Sequence, residues 1–435
     1  MCGFYNANSP IIFDFQFKFH CIKIKNCLLI VIMSSLDSTQ VTREKIIEAQ
    51  AAMPVGEITP ARIFKSDAFS EMLGAEIFFC DICSRTQGTG SFKDGGAFNK
   101  LRNLYDSGQN ERLLVVASEG NHAPGVLAAA NYYNAQGANF RVVVHVSEAI
   151  SDTKKGLIES LLQDRHRLIV GGKGFSEAIR IADNFAQSND GLIISAFEDP
   201  DVIIGQGIMA VDIDREVIRP DTAFCSIGAG GIFASLSAYY HQTPTKVYGS
   251  QLANVPAMVK SLANGNGEME SIACEDLRCM ERITGRQSRL MVGGITARKS
   301  GDFTTSIARQ LARPISTATI EQIALCGVLY EKAHKGMDDY CFPERAALTA
   351  LAGLMRRYHE GHRDFGGKKH VVVLSGGNTC DKEKSELLEL GEEVARDSKG
   401  KIAEIFTEPT PFYDPRFSKL SRYSLESSDA KAMGI

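Results

Sequence analysis

Gly90-Ser91-Phe92-Lys93-Asp94-Gly95-Gly96-Ala97 places one lysine inside a loop of small residues. The loop follows an apolar run, Ala75 to Cys80, that reads as a strand. A lysine is ordinarily a solvated surface charge. Here it lies between an aromatic residue and a glycine pair, where a flat group can approach the backbone closely. Such a lysine forms a Schiff base with an aldehyde once part of its amine is deprotonated. Three further segments follow in order: Ser118-Glu119-Gly120-Asn121-His122-Ala123, Gly228-Ala229-Gly230-Gly231-Ile232 and Leu374-Ser375-Gly376-Gly377-Asn378.

Around these loops the chain alternates short apolar runs with longer helical patterns. Strand-like runs are Leu113–Ala117, Phe140–Val146, Arg167–Val170, Leu192–Ile194, Thr222–Ile227, Lys246–Gly249 and His370–Leu374. Helical patterns fill Gly125–Tyr133, Asp152–Gln163, Ser176–Ser188 and Gly231–Tyr240. Near-continuous apolar strands separated by helices predict parallel sheets covered on both faces, an α/β architecture. Gly228-Ala229-Gly230-Gly231 lies between a strand and a helix. Unpaired N–H groups at a positive helix end suit a phosphate there. An ordinary tight turn at a strand–helix junction is the alternative, and Ala229 suits a phosphate loop only at negative φ.

The ordered set of four motifs resembles the pyridoxal-phosphate enzymes of the tryptophan-synthase-β fold type. Within them it is most similar to the threonine/serine dehydratases, over roughly Thr59 to Asp381. The resemblance implies two lobes, each a mostly parallel twisted sheet with helices on both faces. It implies a large lobe from residues 41–111 and 193–399 and a small lobe from 112–192. Residues 1–40 are then an N-terminal extension, disordered or upstream of the native start, with Met33 as a natural first residue. Residues 400–435 form a C-terminal tail on the surface or against an oligomer partner.

The resemblance also implies site roles. Lys93 is the Schiff-base lysine, and Phe92 lies against the cofactor ring with Gly294 opposite it. Gly228, Ala229, Gly230 and Gly231 cradle the phosphate. Asn121 faces the phenolic oxygen, and Ser375 hydrogen-bonds the pyridine nitrogen. Ser118, Gly120 and His122 hold the substrate carboxylate. A neutral serine at the pyridine nitrogen makes a weak electron sink, which favours expelling a β-substituent over transamination. Threonine and serine are the implied substrates, going to a 2-oxo acid and ammonia. Lys93 takes the α-proton, and the cofactor phosphate protonates the departing hydroxyl.

Several positions depart from the family pattern. Gly95 stands where an arginine is usual, Gly293 where an aspartate is. Gln251 replaces a glutamate that helps bind a divalent cation, so no metal is expected. Phe342-Pro343-Glu344-Arg345-Ala346 resembles the Glu-Pro/Gly-Ala/Ser-Gly-Ala segment, with an unusual arginine. Glu119 is the largest departure. A carboxylate beside a bound carboxylate is repelled, which raises its pKa and lets it act as acid or base opposite Lys93. It is then a second catalytic candidate; otherwise it is a solvated or lysine-paired charge. Diaminopropionate ammonia-lyases carry an acid there, so that activity, or a racemase, is the rival. A non-catalytic cofactor-binding protein is the rival of a different class.

Composition excludes other classes. The 435 residues carry a formal charge of −4, which offers nothing to nucleic acid or an anionic membrane. Eleven cysteines, odd in number and scattered, read as free thiols of a cytoplasmic protein. Cys80 and Cys83 form a lone CxxC, read as small buried residues beside the lysine loop rather than a redox or zinc pair. Lys100 and Lys155 are read as helix-surface charges. A dimer or tetramer acting on a small amino acid is the expected assembly.

Overall fold

The structure is a computed structural model that describes residues 20–24, 27–31, 40–84, 88–118, 120–263, 295, 297, 299–311, 314–361, 365–397 and 402–407. Its strands are β1 (His20–Ile24), β2 (Cys27–Val31), β3 (Arg62–Lys65), β4 (Glu76–Asp81), β5 (Leu113–Ala117) and β6 (Arg141–Val146). They continue with β7 (Arg167–Val170), β8 (Leu192–Ile193), β9 (Thr222–Ile227), β10 (Lys246–Leu252), β11 (Ile315–Ala318) and β12 (Lys369–Leu374). β1 and β2 pair antiparallel with each other.

A six-stranded sheet runs in the order β11-β10-β9-β12-β4-β3, and a four-stranded sheet in the order β7-β6-β5-β8. Every pairing in both is parallel except that of β3 with β4. The residue content explains this. β9 is buried at all six positions and β12 at all but its first, so neither strand has a solvent face. β3 is the exception, half-buried to exposed, and it takes the antiparallel edge. β3 and β11 were not foreseen. They are short edge strands of four residues, and their sequences lack the continuous apolar run that marks the interior ones.

Two apolar cores cover the large sheet. One gathers Phe69, Phe79, Leu325, Tyr330 and Leu351; the other gathers Ile46, Ile213, Phe233 and Val373. A third, around Phe98, Leu127, Phe140 and Val144, joins the small sheet to the helices Lys93–Asp106 and His122–Ala135. Parallel pairing has one consequence that matters for chemistry. β4, β9 and β12 all end on the same edge, with Leu374 opposite Asp81 in register. The lysine loop, Gly228 and Ser375 leave from that edge, where open α/β sheets place their ligands.

Candidate active site

The lysine loop is tied to the end of β12 by backbone. Ser91 bridges Gly376, the Phe92 N–H donates to the Ser375 carbonyl at 3.0 Å, and Gly377 N–H donates to the Gly90 carbonyl at 3.1 Å. Asp94 fixes the loop from inside: its carboxylate accepts from the Thr89 N–H at 2.7 Å and from the Thr89 hydroxyl at 2.5 Å. Lys93 is the first residue of the helix Lys93–Asp106, and its ammonium lies 4.5 Å from the Phe92 ring centroid. Lys93 keeps some solvent exposure, yet dehydration of its ammonium lowers its pKa to about 8, against an opposing pull from Glu344. That is the state a nucleophilic lysine needs.

The glycine at position 95 has a packing reason. A β-carbon there would lie 2.4 Å from the Gly205 carbonyl oxygen, because Lys93–Asp106 crosses Pro200–Gln206 at backbone contact. No arginine fits between the two helices. Lys100 reinforces the same crossing. It is not the surface charge expected of it: its ammonium sits 2.9 Å from Asp199 and 3.1 Å from Asp201, with the side chain mostly buried. Lys155 does match the expectation, pairing with Glu159 at 3.7 Å along the helix surface.

Gly228-Ala229-Gly230 leaves β9 and opens the helix Gly231–Tyr239. The left-handed residue is Gly230, at φ 112°, and not Ala229. A β-carbon at Gly230 would lie 2.3 Å from the Met258 methyl and 2.8 Å from the Thr304 hydroxyl. The loop is held from outside by Thr304, whose hydroxyl donates to the Ala229 carbonyl at 2.7 Å, and by Gly301 N–H to the same carbonyl at 3.0 Å. Gln251, buried in β10, also serves the loop: its amide donates to the Gly228 carbonyl at 3.3 Å. Gly230→Ala is therefore expected to weaken cofactor affinity by roughly 10- to 100-fold, a cost of about 1–3 kcal/mol for a strained backbone position. Equilibrium dialysis against the cofactor checks it, and unchanged affinity would refute the cradle.

Ser118, Gly120, Asn121 and His122 connect β5 to the helix His122–Ala135. The Ser118 hydroxyl turns into its own loop. It accepts from the N–H groups of Gly120 at 3.2 Å and Ala123 at 3.3 Å, and donates to the Gly120 carbonyl at 3.0 Å. The His122 Nε2 is 2.9 Å from the Ile194 carbonyl, so that nitrogen carries the hydrogen and donates. Burial, with the nearby Lys93 charge, lowers the His122 pKa to about 3 and keeps the ring neutral. Asn121 is gripped at both ends of its amide: it donates to Glu344 Oε1 at 2.8 Å and accepts from Asn378 at 3.0 Å. Ser375 is buried beside Ser226, hydroxyl to hydroxyl at 3.4 Å. Glu119 and Gly294 lie outside the described residues.

Thus Lys93, Asn121, His122, Ser375 and the glycine loop converge where two sheets meet. Three further members, Glu344, Lys154 and Asn378, have no role assigned from the sequence, although Glu344 and Asn378 stand in segments quoted there. Glu344 is 7 % exposed at the start of Arg345–His359, where burial raises its pKa while Lys154 and Asn121 pull it down. Lys154, also 7 % exposed, places its ammonium 3.9 Å from Glu344. Asn378 links Asn121 to the Thr89 carbonyl at 2.7 Å. Lys154 had a sequence signal: it precedes the fully buried Ile158 by four residues, on one face of Asp152–Leu161, whereas Lys155 points to solvent with Glu159. Cys80 and Cys83 are buried, as expected, and burial pushes the Cys83 thiol well up, away from redox or zinc chemistry.

A family model described as pyridoxal-phosphate dependent enzyme matches residues 55–377. An L-threonine ammonia-lyase of Thermotoga maritima is 27 % identical over 343 residues, 78 % of this chain and 76 % of the relative. The processed form of threonine deaminase isoform 2 from Solanum lycopersicum superposes with TM-score 0.64 at 21 % identity, over 81 % of this chain and 94 % of that one. Diaminopropionate ammonia lyase from Escherichia coli superposes with TM-score 0.64 at 15 % identity, over 89 % and 99 %. The last two likenesses speak to the fold alone. No helix among the described residues is long and apolar enough to cross a membrane.

Proposed function

The chain belongs to the pyridoxal-phosphate dependent enzymes, and we propose that within them it expels water from a small β-hydroxy amino acid, L-threonine or L-serine, whose enamine product takes up water again to give a 2-oxo acid and ammonia. Its cofactor is pyridoxal 5'-phosphate. The observation that carries the reading is Lys93, its pKa lowered to about 8, on a loop whose Phe92 N–H is bonded to the backbone of Ser375, a residue with a neutral hydroxyl at the end of β12.

The residues present fit that cofactor. The Gly228–Gly231 turn offers N–H groups and the positive end of a helix to a phosphate, and Met258 and Thr304 pack the turn so closely that a β-carbon at Gly230 would strike them. Lys93 offers an amine to the aldehyde, and Phe92 an apolar face beside it. Ser375 offers an uncharged hydroxyl to the ring nitrogen, and Asn121 an amide oriented by Glu344 and Asn378 to the phenolic oxygen. When bound, the cofactor supplies the electron sink for charge that builds on the substrate's α-carbon.

The protein's own groups do the rest. Lys93 would hold the cofactor through its aldehyde carbon, and its Nζ would accept the substrate's α-proton, a role suited to an amine titrating near the working pH. The neutral His122 adds no competing positive charge beside Lys93. Ser118 would shape the loop beside the substrate carboxylate by accepting from the Gly120 and Ala123 N–H groups. Ser375, having no formal charge, would leave the ring nitrogen largely unprotonated, which would favour loss of the β-hydroxyl over side reactions. Gln251 in place of a carboxylate leaves no reason for a divalent cation.

Oxo-acid and ammonia release from a panel of L-serine, L-threonine, D-serine and 2,3-diaminopropionate tests the proposal. Release from the L-hydroxy amino acids supports it. Release from diaminopropionate or D-serine alone would favour the rival that Glu119 fits, and inversion without release a racemase. A borohydride-bleached yellow protein that converts nothing would leave a non-catalytic binder. The protein works in the cytoplasm as a dimer or tetramer in this reading.

A further inference from the structure

We infer that Lys154 is a substrate-binding residue, whose ammonium pairs with the α-carboxylate of the amino acid at Gly120. The inference deepens the proposed function and rests on it for the class of ligand. Lys154 belongs to the four-stranded-sheet half, on Asp152–Leu161, and its side chain is 9 % exposed. It reaches the site from outside every motif that marked the site in the sequence. A β-carbon added to Gly120 would lie 3.2 Å from the Lys154 Nζ and 3.6 Å from its Cδ and Cε. The side chain therefore lies along the Gly120 backbone with its charge at that residue.

Among the described residues the ion-pair partner of Lys154 is Glu344, at 3.9 Å. That separation exceeds an N–H···O hydrogen bond, and an ammonium has three donors, so it retains capacity for another acceptor. Glu344 Oε1 is already taken by Asn121 at 2.8 Å. The position is favourable to an anion for a second reason. Asn121 caps the fourteen-residue helix His122–Ala135, so its positive end and the Lys154 ammonium meet at one loop. His122 is neutral there, and among the described residues the carboxylate facing these two positive features is Glu344, which leaves them room for the charge of one bound carboxylate. Backbone N–H groups hold a carboxylate by geometry. Lys154 adds a formal charge, which distinguishes an acid from its uncharged amide.

The test uses cofactor-loaded protein and two non-reactive ligands: 2-methylserine, which has no α-hydrogen to lose, and its carboxamide. Dissociation constants come from titration calorimetry. Lys154→Met alone strands Glu344 as a buried charge and endangers the fold. The informative pair is Glu344→Gln, which keeps an acceptor for Asn121, and Lys154→Met/Glu344→Gln. Wild type and Glu344→Gln are expected to bind the acid more tightly than the amide. The double variant is expected to lose roughly 10- to 150-fold in affinity for the acid, the range for one charge-assisted hydrogen bond, with amide binding unchanged. Lys154→Arg/Glu344→Gln should recover part of the loss. A double variant with the wild-type preference, or with acid and amide weakened equally, overturns the role of Lys154 and leaves the proposed function standing. A wild type that binds neither ligand overturns both.

Discussion

Lys93→Ala is expected to abolish the cofactor's borohydride-sensitive visible absorbance and to lower turnover at least about 10⁴-fold, the upper end for a positioned general base. The argument is one of place. Lys93 is the first residue of its helix, beside the Phe92 ring and within Coulombic reach of both Glu344 and His122. Lys154, the other lysine at this site, lies against Gly120 and Glu344 instead. The loop survives the substitution, because Asp94, Thr89 and the Ser375 carbonyl hold it through other atoms. Added methylamine should restore part of the turnover, as a collapsed fold would not allow. The same lysine sets a pH profile. Its pKa is lowered to about 8, so its reactive amine form is present above that value and lost as pH falls through it. Cofactor capture by stripped protein should then rise about tenfold per pH unit up to about 8 and level off above, whereas an ordinary lysine would keep rising to about 10.4. Wild-type absorbance and turnover in Lys93→Ala would show that another lysine does the chemistry.

Ser375→Asp is expected to change the product rather than merely slow its formation. Ser375 is buried at the end of β12, with the Ser226 hydroxyl at 3.4 Å. An aspartate there places a negative charge where the cofactor's ring nitrogen is proposed to sit. A neighbouring opposite charge raises a base's pKa by about 1–3 units, so the protonated fraction grows by about 10- to 10³-fold. The stronger electron sink then stabilises charge on the α-carbon without requiring the β-hydroxyl to leave. Elimination should fall and transamination should rise, read as oxo acid formed with loss of the cofactor's aldehyde absorbance. Ser375→Ala separates charge from packing: it should weaken elimination without the transamination by-product. An unchanged product ratio in Ser375→Asp, with the cofactor still bound, would end the electronic argument.

Much of this site was readable before any coordinates because its parts are local. An apolar run followed by small residues announces a strand end and a tight approach, whatever surrounds it. That is why the loops that carry Lys93, Asn121, Gly230 and Ser375 could be located, the roles of those residues coming from the family resemblance, and why β5, β6, β9 and β12 fell close to their expected bounds. The largely apolar character of β9 and β12 likewise pointed to parallel sheets, since a strand with no continuous polar face must be covered on both sides. The short edge strands β3 and β11 escaped for the converse reason: half-covered and brief, they carry no such pattern.

Tertiary structure alone decided which side chains share the space between those loops. Asn121 meets Glu344 across 223 residues and Asn378 across 257. Lys154 lies on a helix whose Ile158 joins the small-sheet core, and Glu344 precedes a helix whose Leu348 and Leu351 join the large-sheet core. Gly95 is explained by Gly205, a residue with no sequence relation to it. Periodicity and turn chemistry act over a few residues. A buried ion pair or a backbone contact between helices depends on where the whole chain returns, and only folding brings those groups within the few ångströms over which charge and sterics act.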